Sequence, residues 1–183
     1  MKWVAFFSQT GSEILEISER LGRLPDRIVM NNDMDRKLNP ELVRIASDRF
    51  YSVRSKPTPF EYYDHIQRDD LVTLHGWLRI VPPPVCIRFS IYNGHPGLIT
   101  TYPELKGKDP QKKAFELKHP IIGCVIHKVT PEVDDGTILQ YRSTTNIYED
   151  EESLTNALHD MSVDLWFDFL TDYLEENELS YPP

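Results

Sequence analysis

Residues 3–21 read WVAFFSQTGSEILEISERL, and this stretch decides the fold class. Trp3 to Phe7 is an unbroken apolar run, the mark of a strand covered on both faces. QTGS follows as a turn, and Ile14, Leu15, Ile17 and Leu21 then share one face of a helix. Strand, glycine turn and helix together open a βαβ unit, and the chain repeats the alternation. RIVMNN (27–32) is a second strand, and NPELVRIASDRF starts a helix with Asn39 as cap and Pro40 in the first turn. FYSVRS (50–55) is a third, short strand, a helix starts after Thr58 and Pro59, and Leu71 to His75 is a fourth strand. Pro82, Pro83 and Pro84 break regular structure, and IRFSIYN (87–93) reads as a fifth, buried strand. A short helix over 110–117 precedes two strands, 121–130 and 137–144, whose brief connection PEVDDG suits an antiparallel pair. Leu154, Leu158, Met161, Leu165 and Phe169 recur at helical spacing and predict an amphipathic helix over the sheet, followed by a frayed tail, NELSYPP. The whole, residues 1–183, reads as one α/β domain with a mostly parallel sheet.

A net charge of −9 argues against a nucleic-acid surface, whose affinity rests on neutralising phosphates. The two cysteines, Cys86 and Cys124, lie inside apolar runs and read as buried thiols, with no disulfide framework or metal-ligand spacing. The N-terminal apolar stretch is too short for a signal segment, and no stretch is long enough to span a bilayer. A cytoplasmic protein, with neither membrane nor nucleic-acid partner, is the expectation. Oligomeric state is not legible.

In a parallel sheet, ligands gather beyond the C-terminal ends of the strands. Three stretches fall there. Gly11 and Ser12, in SQTGSE, place free N–H groups at a helix N-terminus, which suits an anion. HGWLRIVPP (75–83) combines apolar bulk, one arginine and a proline-rich exit. NGHPG (93–97) holds Asn93 and His95 in a stiff turn, and two such donors can stabilise an oxyanion. Asp134, in PEVDDG, would raise the pKa of His95 if the fold brings the loops together. His127, inside a strand, reads as structural, and the three tryptophans read as core.

Taken in order, SQTGSE, HGWLRIVPP, the Asn-x-His-Pro turn and HKVTPEVDDGTILQ resemble the folate-dependent formyltransferases, and among them the phosphoribosylglycinamide formyltransferases. The resemblance implies a Rossmann-like formyltransferase fold, with about seven strands flanked by helices and an antiparallel last hairpin. It implies transfer of a formyl group from 10-formyltetrahydrofolate to a small amine, with glycinamide ribonucleotide or a related phosphorylated amine as acceptor. Asn93, His95 and Asp134 would be catalytic. Leu78, Arg79, Ile80 and Val81 would hold the folate ring, and Thr130, Pro131, Glu132 and Val133 would cover it. Gly11, Ser12, Glu13, Gly76 and Pro96 would meet the acceptor. The family's usual Asn is Glu13 here, which would repel a phosphate unless its carboxylate points away, and the Ser after His-Pro is Gly97. The short, acidic chain argues against tRNA as acceptor. Sugar-nucleotide formylation, hydrolysis of the folate and non-catalytic folate or nucleotide binding are the alternatives.

Overall fold

Every residue of Trp3–Phe7 is buried, because this strand, β1, lies inside a sheet with core on both sides. Alternation along it separates the two sides. Trp3, Ala5 and Phe7 face one core cluster, and Val4 and Phe6 face the other. The computed structural model describes residues 1–31 and 37–178. Its other strands are β2 (Arg27–Asn31), β3 (Phe50–Val53), β4 (Leu71–His75), β5 (Ile91–His95), β6 (Ile121–Lys128) and β7 (Ile138–Thr145). They form a seven-stranded sheet in the order β3-β2-β1-β4-β5-β6-β7. The pairings from β3 through to β5 are parallel, and β6 and β7 add antiparallel. The expected fold class holds. Asn32, at the end of the second expected strand, and the chain beyond Glu178 lie outside the described residues.

Helices α1 (Ser12–Leu21) and α6 (Glu151–Glu178) cover one face, where Ile14, Ile17, Leu158, Trp166 and Leu170 pack on β1 and β6. The other face carries α3 (Pro59–Tyr63) and α4 (Pro83–Arg88), through Tyr62, Val85 and Cys86. Helix α2 (Pro40–Ile45) is capped as its sequence predicts: Asn39 Oδ1 accepts from the N–H groups of Glu41 and Leu42. Helix α5 (Pro110–Glu116) precedes β6. Among the described residues, no helix is long and apolar enough to cross a membrane.

One element departs from the sequence reading. Residues 87–90 are not strand, and the three prolines start a helix instead of breaking one. Pro83 and Pro84 occupy the first positions of α4, where no helical N–H bond is needed and the fixed φ of proline already suits a helix. Ile87 is 80% exposed, so the apolar run CIRFSI is no buried strand. Strand β5 therefore starts at Ile91 and runs on through Asn93 to His95. The two polar residues belong to the strand itself, and the turn comes after them.

Candidate active site

Asn93 and His95 alternate with Gly94 at the C-terminal end of β5, so both side chains lie on one face of the sheet. Asp134 comes from the β6–β7 loop, at a positive φ of 50°, and its carboxylate faces β5. The three expected residues meet. Asp134 Oδ2 lies 3.4 Å from His95 Nδ1, and Asp134 Oδ1 lies 3.5 Å from Asn93 Nδ2. The N–H of Gly107 donates to Asp134 Oδ2 at 2.8 Å and holds the carboxylate in place.

Two further contacts complete the cluster. His127, opposite Asn93 in the β5–β6 pairing, brings Nε2 to 3.1 Å from Asn93 Nδ2 and 3.3 Å from Asp134 Oδ1. Its other nitrogen lies 3.1 Å from the Lys128 carbonyl, which can only accept, so Nδ1 carries a proton. The structural reading of His127 is thus corrected: its ring lies inside the site. Only the antiparallel register places it there, and register is not written in the residue's neighbours. The carbonyl of Leu105 lies 2.8 Å from His95 Nε2, in a 3₁₀ turn (Pro103–Leu105) that no motif marked.

The charges at this cluster oppose one another. Burial pushes the His95 pKa down, while Asp134 and the Leu105 carbonyl push it up, and burial wins. The expected upward pull of Asp134 is present but outweighed. Burial also pushes Asp134 up, yet the His127 hydrogen bond, the His95 charge and the Gly107 N–H together hold it below the usual carboxylate value.

The proposed acceptor residues lie at the same end of the sheet, because Ser8 and Gly76 join the exits of β1 and β4 through a backbone bond of 3.3 Å. Gly11 sits at φ 82°, and a Cβ there would meet Leu42 Cδ2 at 2.6 Å, so the turn needs glycine. Ser12 Oγ accepts from Asn39 Nδ2 at 3.1 Å. Glu13 turns inward. Its Oε2 lies 2.9 Å from His75 Nδ1, and its Oε1 accepts from Ser162 at 2.5 Å. Burial raises its pKa, but these partners outweigh burial and leave it below the usual value. Both carboxylate oxygens are engaged away from the Gly11–Ser12 turn, so the Glu13 side chain stands apart from the residues expected beside it. Pro96 is half-buried directly after β5.

The folate segment is divided. Leu78 and Ile80 are exposed, whereas the Val81 side chain is in the core and leaves only its backbone to a ligand. The Leu78 N–H donates to Ser8 Oγ at 3.0 Å. Arg79 reaches Ser55, with Nη2 3.1 Å from its hydroxyl. In the loop over 130–133, Thr130 Oγ1 donates to the Glu132 carbonyl at 3.2 Å, and Val133 is exposed.

A family profile described as formyl transferase matches residues 36–169. The chain belongs to the formyl transferase family. It is 33% identical over 94 residues, 49% of the chain, to the trifunctional purine biosynthetic protein adenosine-3 of Chironomus tentans, but the match spans only 7% of that protein. The phosphoribosylglycinamide formyltransferase of Bacillus halodurans superposes with a TM-score of 0.79 at 22% identity, covering 95% of both chains. A formyltetrahydrofolate deformylase from Pseudomonas syringae gives a TM-score of 0.76 at 20% identity, covering 96% of this chain and 62% of its own. At these identities the solved structures share the fold.

Proposed function

We propose that the chain transfers a formyl group from 10-formyltetrahydrofolate to a primary amine, with glycinamide ribonucleotide as the leading acceptor. The meeting of Asn93, His95 and Asp134 at the end of β5 carries this reading. The amine attacks the formyl carbon, and a C–N bond forms as negative charge builds on the formyl oxygen. Asn93 Nδ2 donates to that oxygen. His95 donates from Nδ1 as the imidazolium, because Nε2 already gives its proton to the Leu105 carbonyl, and Asp134 beside Nδ1 favours that charged form against burial. Preorganised donors of this kind are worth about 3–4 kcal/mol each. Collapse breaks the carbon's bond to the folate nitrogen. Asp134 helps to carry the proton from the attacking amine to that nitrogen.

Family membership supports the reaction class, and 31% identity over 101 residues to the phosphoribosylglycinamide formyltransferase of Dictyostelium discoideum supports the acceptor. The inward turn of Glu13 removes its oxygens from the Gly11–Ser12 turn, which favours a phosphate there. Exposed Leu78, Ile80 and Val133 supply apolar surface for the folate. Hydrolysis of the folate is the second reading, supported by 26% identity over 128 residues to formyltetrahydrofolate deformylase 2 of Arabidopsis thaliana. The test is a mass-spectrometric assay with 10-formyltetrahydrofolate, offering glycinamide ribonucleotide, a panel of amino sugar nucleotides, and no acceptor. Formylated glycinamide ribonucleotide is the expected product. Formate released at the same rate without acceptor would establish the hydrolase instead.

A further inference from the structure

We propose that Gly94 is a positioning residue of this site: the Trp166 indole, braced by His75 and Glu13, occupies the place of its missing side chain and so sets where Asn93 and His95 point. The functional half of this inference rests on the formyl-transfer reading; the geometry stands by itself.

On β5, Asn93 and His95 face one side of the sheet and Gly94, between them, faces the other. A Cβ on Gly94 would lie 2.4 Å from Trp166 Nε1 and 3.0 Å from its Cε2, so no side chain fits. Trp166 is fully buried on α6 and cannot swing away. The His75 ring lies against it, with centroids 4.5 Å apart, and Phe169 packs edge-on at 5.6 Å.

His75 is fixed in turn. Its Nε2 lies 2.8 Å from Thr73 Oγ1, which also accepts from Trp3 Nε1 at 2.8 Å. Its Nδ1 lies 2.9 Å from Glu13, whose second oxygen accepts from Ser162. Ser162 stands four residues before Trp166, on the same face of α6. The first turn of α1, the end of β4 and one face of α6 therefore close around a single indole. That indole fixes the depth of the strand bearing Asn93 and His95. Glu13, in the turn expected to meet the acceptor, acts here as a brace.

The test compares the wild type with Gly94→Ala, Gly94→Ala/Trp166→Phe and Trp166→Phe. Turnover is measured with 10-formyltetrahydrofolate and glycinamide ribonucleotide, and the His95 ring is followed by NMR. Gly94→Ala should lower kcat by about 100-fold, the scale of an ångström's misplacement, with KM for the folate nearly unchanged. The smaller phenylalanine should restore at least about a tenth of the wild-type rate in the double variant. A Gly94→Ala enzyme with normal kcat overturns the proposal, as does a folded double variant no faster than the single one. If Gly94→Ala does not fold, Trp166→Phe decides: reduced kcat at unchanged KM supports the proposal, and normal kcat overturns it. If the wild type formylates no amine, the functional reading fails and the NMR decides alone. His95 ring signals displaced in Gly94→Ala and returned in the double variant support the geometry; undisplaced signals overturn it.

Discussion

Asn93→Ala deletes one donor at the proposed oxyanion together with its contact to His127 on β6, and His95→Ala deletes the other donor. Each should cut turnover by at least about 100-fold while circular dichroism remains that of the wild type. Near-normal turnover in either variant would remove that residue from the chemistry. The pairing of His95 with Asp134 has its own test. Asp134 pulls the His95 pKa upward against burial, so Asp134→Asn should move the His95 titration, followed by NMR, to lower pH. An unmoved midpoint would mean that the 3.4 Å contact carries no charge coupling. At this scale the sequence named Asn93, His95 and Asp134, because donor and acid chemistry can be read from residue type. It missed His127, because a histidine in a strand looks the same whether the strand beside it offers Asn93 or a core aliphatic.

The strand-turn-helix opening was legible because burial on both faces and helical spacing are local patterns. The end of α2 illustrates how such signals connect to the site. Asn39 caps that helix and also donates to Ser12, so it links α2 to the Gly11–Ser12 turn. Asn39→Ala should cost about 1 kcal/mol in urea unfolding. That corresponds to a fall of roughly 2–4 °C in Tm for a chain of this size. An unchanged Tm would mean that water replaces the cap fully. Helix α4 was illegible for a different reason. A proline triplet either stops an element or starts one, and only the packing of Val85 and Cys86 under the sheet selects the start.

Across the molecule, acid should loosen the fold in two stages. Burial depresses the His95 pKa, so the unfolded chain takes up a proton there first, and stability falls as pH drops below about 6.5. Glu13 and Asp134 sit below their ordinary values in the fold, so their contributions are full above those values and are lost as pH falls through the folded ones. The urea midpoint should therefore decline gently below about pH 6.5 and more steeply below about pH 4.5, and Glu13→Gln should flatten the steep part. An acid limb identical in Glu13→Gln would show that this carboxylate carries no such linkage. Cys86 and Cys124 are buried with thiol pKa values pushed up by burial, so both should resist maleimide until the chain unfolds. Labelling before the circular dichroism transition would contradict that burial. Sequence alone determined the α/β class and the mostly parallel sheet, and put Asn93, His95 and Asp134 forward as candidates, since periodicity and side-chain chemistry are local properties. Only the tertiary structure decided that His127 lies against Asn93 and Asp134, that Glu13 turns to His75, and that Gly94 yields its place to Trp166. Those outcomes depend on strand register and on the packing of α6 across the sheet, where residues far apart in the chain compete for one volume.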